Sequence, residues 1–154
     1  EFEEKLNEEN IKMQEAMQKI IAGYNAQFNL KNVDLAISLY EQAVSLYPKV
    51  YNGYTSLAYA YWYNKNDLIK AKEYFELALQ YNPNSYQYLN DLARFSAATK
   101  EFITAYQYLK KALEINPAAY MDIENDPIFD ELKASYDNKF KKLIDQAKAK
   151  ATRN

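Results

Sequence analysis

The side chains of this 154-residue chain that could carry out chemistry are carboxylates, amines, guanidinium groups, hydroxyls and phenols, because the sequence contains no histidine and no cysteine. Without those residues the chain cannot form a Ser-His-Asp triad, a Cys-His dyad, a Cys/His zinc site or a disulfide. Its two glycines, Gly23 and Gly53, leave no glycine-rich loop of the kind that binds nucleotide phosphates. These absences exclude several classes of enzyme, and we expect no cofactor.

The carboxylates Asp122, Glu124 and Asp126 have the spacing that opens a calcium-binding loop. Such a loop then needs glycine and, at its twelfth position, glutamate, whereas Pro127 and Lys133 stand there. We interpret the cluster as a helix cap and a solvated acidic turn. Two carboxylates can also hydrolyse glycosides, but no pair here has an apolar setting that would raise one pKa. The sequence therefore predicts no catalytic residue and no metal, and an enzyme is the weakest functional hypothesis.

Charge and hydropathy limit the partners. The formal net charge of -2 supplies no field for nonspecific binding to nucleic acid, so we expect none as partner. The longest apolar run, residues 57–63, is too short to span a membrane. The sequence does not determine the cellular compartment, and the cytoplasm is slightly favoured. The alternative is export with a removed leader, because the chain begins with Glu1.

The elements that position side chains are predicted to be helices. Prolines and glycines are sparse, and apolar residues recur every three or four positions between them. The tyrosine-rich segment at residues 57–63 could instead form a strand, since Tyr and Trp favour sheets. An internal repeat argues against the strand.

Three segments of the chain align without a gap, at residues 40–48, 75–83 and 109–117. Each ends in a proline, and these prolines lie 35 and 34 residues apart. Each proline is followed three residues later by a tyrosine and preceded twelve residues earlier by an alanine: Tyr51, Tyr86 and Tyr120, and Ala36, Ala71 and Ala105. Small alanines allow close approach of a neighbouring helix, and proline ends a helix. Each unit is thus predicted to be helix, turn, helix and proline stop.

These units resemble tetratricopeptide repeats, which have a 34-residue period and the pattern W-x-x-L-G-x-x-Y, A-x-x-x-F, P. The middle copy matches best, with Tyr54, Leu57, Ala58 and Tyr61, then Ala71, Phe75 and Pro83. The third copy is looser. The register of the first copy stays open, because it depends on whether its turn carries the extra residue seen around residues 64–67.

The resemblance implies an all-α fold, a right-handed α-α superhelix of helical hairpins with about seven or eight helices. We expect a helical N-terminal extension at residues 1–14, repeats at 15–50, 51–85 and 86–119, and a C-terminal capping region at 120–154. Asp126 and Pro127 are predicted to cap and begin one long final helix. Its apolar stripe would cover the last repeat, with basic residues behind it. The stripe consists of Phe129, Leu132, Tyr136, Phe140, Leu143 and Ala147.

In the family that these repeats resemble, one side of each first helix lines a concave groove that binds peptides. Aromatic side chains there would supply contact area at low entropic cost. The alternative is that Trp62 and Tyr63 pack against adjacent repeats. The residues predicted to line the groove are Tyr24, Phe28, Thr55, Tyr59, Trp62, Tyr63, Gln87, Asn90, Asp91 and Arg94.

The third repeat makes its share of this groove polar. Arg94 could grip a carboxylate with its planar guanidinium, and the alternative is an ordinary surface pair with Asp91. Some members of the family clamp a C-terminal carboxylate with several Lys, Arg and Asn residues. Thr55, Tyr59 and Asp91 occupy positions where such a clamp needs basic or polar groups, so that ligand class is disfavoured.

The resulting hypothesis is a noncatalytic module that binds a protein or peptide partner in the groove. The alternative is a structural or oligomerisation module that associates through its terminal helices, as a homo-oligomer. The basic C-terminal helix could also touch RNA or a membrane surface, but covering the core explains its stripe better.

Overall fold

The computed structural model describes residues 1–153, and helices dominate it. This part of the chain contains nine α-helices and no strand, so the strand alternative for residues 57–63 is wrong. No helix within it is long and apolar enough to span a membrane. The α-helices are α1 (Phe2–Tyr24), α2 (Val33–Leu46), α3 (Gly53–Tyr59), α4 (Leu68–Tyr81), α5 (Tyr86–Ala98), α6 (Phe102–Ile115), α7 (Tyr120–Asn125), α8 (Asp130–Ser135) and α9 (Asp137–Ala151).

Local sequence signals set the ends of the repeat helices. Asn32 and Asp67 cap α2 and α4, since each side chain accepts a hydrogen bond from the backbone three residues later at 3.0 Å. The residues before the three repeat prolines leave the helical region, with ψ between 71° and 94°. Proline disfavours the helical conformation of the residue that precedes it. The predicted proline stops are therefore confirmed.

The chain divides into two compact units, Glu1–Asn82 and a second unit that begins at Pro83. In the first unit, the repeat alanines Ala36, Ala43 and Ala71 are completely buried, as is the ring of Tyr40. Tyr40 lies against Gly23: a β-carbon at Gly23 would be only 2.3 Å from its Cε1. Glycine is therefore needed there for close packing, and not for its backbone conformation.

Stacked tyrosines join the first and second helices of the second repeat. Tyr54 stacks on Tyr81 with ring centroids 5.5 Å apart, and Tyr61 stacks on Tyr74 at 5.6 Å. Parallel aromatic pairs at these distances add to the hydrophobic gain from burial. Tertiary packing of this kind overrides the strand preference of isolated tyrosines.

Single π-helical turns end the first helices of repeats one and two. They span Asn25–Asn29 and Ala60–Asn64, which are 35 residues apart. In each, the next backbone N–H donates to the carbonyl five residues earlier, from Leu30 to Asn25 and from Lys65 to Ala60. A π-turn accommodates one extra residue in a helix. The first repeat therefore carries the same extra residue as the second, which settles its register.

In the second unit, the region after Asp126 differs from the single long helix that the sequence predicts. It forms a 3-10 turn at Pro127–Phe129 and then α8 and α9, separated at Tyr136, whose φ of -132° breaks the helix. The prediction of one long helix, and of seven or eight helices in total, is wrong. The predicted cap is confirmed, since Asp126 Oδ1 accepts a hydrogen bond from the Ile128 backbone at 3.0 Å.

The apolar stripe of the capping region nevertheless packs as predicted. Phe129 and Leu132 are completely buried, and Phe140, Leu143 and Ala147 are at most 5% exposed, in one cluster with Leu109 of α6. Tyr136 is half-buried against the same cluster. A break at Tyr136 lets α8 and α9 each turn an apolar side toward this core.

Candidate functional site

Three aromatic rings at the end of the second repeat's first helix lie nearly parallel. We call Tyr59, Trp62 and Tyr63 the aromatic cluster. The centroids of Trp62 and Tyr63 are 4.5 Å apart, and Tyr59 lies 5.9 Å from Trp62 and 5.8 Å from Tyr63, with interplanar angles of 9° to 17°. The buried Phe75 of α4 supports the cluster edge-on, 5.1 Å from Tyr59.

The rings of the aromatic cluster differ in exposure, and the packing of Trp62 is within its own repeat and not against an adjacent one. Trp62 is partly buried and packs edge-on to Phe75 at 6.2 Å, so it contributes to the interior of its own repeat. Tyr63 is 61% exposed. The cluster therefore has a buried side that fixes the rings and an exposed side that a ligand can reach.

Tyr24 and Phe28 form a second aromatic pair in the first repeat. Their ring centroids are 6.3 Å apart, and Phe28 is 57% exposed. Tyr24 is half-buried, packs edge-on to Tyr40 at 5.8 Å, and accepts a hydrogen bond from Ser56 Oγ at 3.0 Å. Tyr24 and Tyr59 occupy equivalent positions 35 residues apart, as do Phe28 and Tyr63.

A chain of polar side chains, from the buried Tyr40 through Gln27 to the exposed Asn64, holds the two π-turns together. The Tyr40 hydroxyl donates to Gln27 Oε1 at 2.8 Å, and Gln27 Nε2 donates to Asn64 Oδ1 at 2.8 Å. Burial, and then the neighbouring Tyr24, raise the pKa of the Tyr40 phenol, so it remains a donor at neutral pH. Gln27 is 8% exposed. These bonds fix the backbone that carries Phe28 and the aromatic cluster.

Sequence reasoning missed Gln27 and Asn64. A signal was available for Asn64, because Asn29 and Asn64 both end the turn with the extra residue. No such signal marks Gln27, whose equivalent in the second repeat is Trp62. Its role depends on a tertiary partner 37 residues away.

Thr55 does not belong to the surface that the sequence predicts. It is 3% exposed, so its hydroxyl is not available to a ligand. The neighbouring Ser56 and Leu57 are also buried. We therefore remove Thr55 from the candidate site.

The four predicted residues of the second unit lie along α5. Gln87 is exposed, and Asn90, Asp91 and Arg94 are half-buried. Arg94 Nε lies 2.9 Å from Asp126 Oδ2, so its guanidinium forms an ion pair with a carboxylate of the same chain. The sequence did not predict this partner, because Asp126 lies 32 residues further along.

The chemistry available at these residues is stacking and hydrogen bonding. The exposed aromatic groups lie in the first unit and the polar groups in the second. Within residues 1–153, no group of three or more carboxylates is arranged to hold a metal ion. The pKa of Tyr86 on α5 is raised by burial, with smaller contributions from Asp122 and Asp91, so this phenol also stays protonated at neutral pH.

Comparison with known proteins agrees with this geometry. A sequence profile described as Tetratricopeptide repeat matches residues 23–50, 51–85 and 86–118. The chain belongs to the tetratricopeptide-repeat (TPR) family. The resemblance predicted from the proline and alanine spacing is therefore confirmed.

Solved structures also share the TPR fold. One is the first TPR domain of Spaghetti (RPAP3) bound to the HSP90 peptide SRMEEVD, with a TM-score of 0.60 at 20% identity. The alignment covers 88% of this chain and 94% of the other. No curated protein sequence matches significantly. The predicted all-α, TPR-like fold class is thus confirmed, and a TPR array is a protein-interaction module.

Proposed function

We propose that this TPR domain is a noncatalytic module that binds an extended segment of a partner protein on Tyr24, Phe28 and the aromatic cluster. The observation that carries the proposal is the exposure of Phe28 and Tyr63 on backbone fixed by the hydrogen bonds of Gln27 to Tyr40 and Asn64. Such pre-ordered aromatic side chains lose little entropy on binding. The known peptide ligand of the RPAP3 domain, which shares the fold, supports a peptide as the class of partner.

The ligand expected here has an apolar or aromatic anchor and not a terminal carboxylate. Phe28 and Tyr63 offer ring surface without charge, and the nearby Lys65 already forms an ion pair with Asp34. Arg94 pairs with Asp126 within the chain.

The test begins with random peptides displayed on phage and selected on the wild-type domain. Trp62 is the only tryptophan, so its fluorescence reports binding of each selected peptide. Replacing an anchor in an interface typically costs about 2 kcal/mol or more. We expect Tyr63→Ala to weaken binding by about 30-fold, a factor that corresponds to that energy.

The matched control is Ile69→Ala, because Ile69 is 75% exposed and lies outside the aromatic cluster. It should leave the affinity unchanged. If selected peptides bind Tyr63→Ala and Phe28→Ala as tightly as wild type, the aromatic surface is not the binding site.

A further inference from the structure

The first half of α1 projects beyond the hairpin that it forms with α2. α2 has 14 residues, whereas α1 alone has 23. Every residue from 1 to 15 is exposed except Met13, which is half-buried, and the first buried residue is Ala16. At 1.5 Å per residue the exposed part is roughly 20 Å long. We call residues 2–13 the projecting segment.

The projecting segment has an apolar stripe. Phe2, Leu6 and Met13 continue the side of the helix on which Ala16 and Ile20 are buried in the hairpin. Phe2 is 81% exposed and Leu6 50% exposed. An apolar stripe that leaves the core and continues into solvent is a surface that a second helix or groove can cover.

The segment is also acidic. Residues 1–15 contain six glutamates and two lysines. By helical position Glu3 borders the stripe and Glu9 lies within it. Neither carboxylate has an ion-pair partner in the part of the chain that the structure describes. A complementary surface must therefore be basic.

A surface of that kind lies between α6 and α9. Residues 137–153 carry six basic and two acidic side chains. A small cavity of about 40 Å³ there is lined by the apolar Leu113, Leu143 and Ala147 and by Gln146. Its charged lining residues are two lysines, Lys110 and Lys150, and one glutamate, Glu114. Within residues 1–153 neither lysine forms an ion pair. We call this surface the α6–α9 groove.

We propose that the projecting segment of one copy docks in the α6–α9 groove of a second copy. The two surfaces are complementary in charge, and each chain carries one of each, so the contact is head-to-tail. Pairing two projecting segments with each other would instead bring like charges together. One face of so short a helix buries less than the roughly 800 Å² per partner of a stable interface, so the association is weak.

Sedimentation velocity of the full chain tests the proposal. Between about 10 µM and about 1 mM protein, association at micromolar or weaker affinity should raise the average sedimentation coefficient with concentration. Raising NaCl from about 50 mM to about 500 mM should lower the association constant by about tenfold, because salt screens exposed charges. A chain that stays monomeric at every concentration would overturn the proposal.

Two pairs of variants locate the contact. Leu6→Lys places a charge in the stripe and should abolish association. Asn7→Lys, the matched control, adds the same charge away from the stripe and should reduce association only slightly. Both sites are exposed, so circular dichroism should show an unchanged fold.

Charge reversal gives the decisive comparison. Glu3→Lys/Glu9→Lys and Lys110→Glu/Lys150→Glu should each be monomeric alone, because segment and groove then carry the same charge. An equimolar mixture should associate again, because opposite charges then meet. Association that strengthens with salt and survives Lys110→Glu/Lys150→Glu would show pairing of two projecting segments and would overturn the proposal. Tyr63→Ala should leave association unchanged, which separates this contact from peptide binding.

Discussion

Replacing Gly23 by alanine tests whether tight packing against Tyr40 determines this position. In an exposed helix, Gly→Ala stabilises by about 1 kcal/mol. Here the new β-carbon would lie 2.3 Å from Cε1 and 2.7 Å from Cδ1 of the completely buried Tyr40 ring. That ring cannot move freely, because its hydroxyl donates to Gln27 at 2.8 Å and its edge meets Tyr24.

The expected magnitude follows from these contacts. Overpacking costs about 1 to 3 kcal/mol, and disturbing a buried hydrogen bond costs about 1 to 3 kcal/mol more. Both terms oppose a gain of about 1 kcal/mol from helix propensity. Gly23→Ala should therefore destabilise the domain by about 3 kcal/mol, within a range of about 1 to 5 kcal/mol, seen in urea as a lower midpoint with an unchanged slope.

Two further variants complete the experiment. Ala22→Gly, at the exposed neighbouring position of α1, should cost about 1 kcal/mol through propensity alone. Gly23→Ala combined with Tyr40→Leu should lose less stability than the two single changes together, because the smaller side chain makes room for the β-carbon. A more stable Gly23→Ala protein would refute the argument, since propensity would then outweigh the contact.

Three other changes have defined outcomes. Gln27→Leu keeps the volume but removes the link to Asn64, so Trp62 should become more accessible to acrylamide quenching, whereas exposed Gln18→Leu should not change it. Asp126→Ala removes both the helix cap and the ion-pair partner of Arg94, so the free energy of unfolding measured in urea should fall by about 1 to 3 kcal/mol. Asp126→Asn can still cap the helix, so it should lower the free energy of unfolding by less. Because the raised pKa of Tyr40 lets the folded protein keep a proton that the unfolded chain loses, unfolding free energy should fall as pH rises above about 10. Tyr40→Phe should make that fall shallower, and an unchanged slope would contradict the assignment.

The sequence predicts the repeat architecture well because its signals are local. Proline spacing places the helix ends, and the alanine pairs place the close contacts between helices. The break at Tyr136 was not predictable in this way, because the apolar stripe of residues 129–147 continues through it with helical spacing. The break becomes visible only in the tertiary structure, where residues of both α8 and α9 pack in one core cluster with Leu109.

In the candidate site too, some residues can be predicted from local sequence and others depend on tertiary packing. Aromatic residues at Tyr24, Phe28 and the cluster could be proposed from helical position alone. The burial of Thr55 and the pairing of Arg94 with Asp126 depend on tertiary neighbours, which no periodicity reveals.

The extra residue in the first two repeats connects fold and site. The exposed Phe28 and Tyr63 lie within the π-turns that accommodate it. The third repeat has no π-turn, and the positions equivalent to Tyr59 and Tyr63 there are Arg94 and Ala98. In the first helices of these repeats, the exposed rings Phe28 and Tyr63 therefore lie where the turn is lengthened and tied by Gln27 and Asn64. A π-turn shifts the direction of the side chains that follow it, so the extra residue determines where the exposed aromatic rings point. Deleting Asn64 should therefore disturb both the π-turn and the aromatic surface.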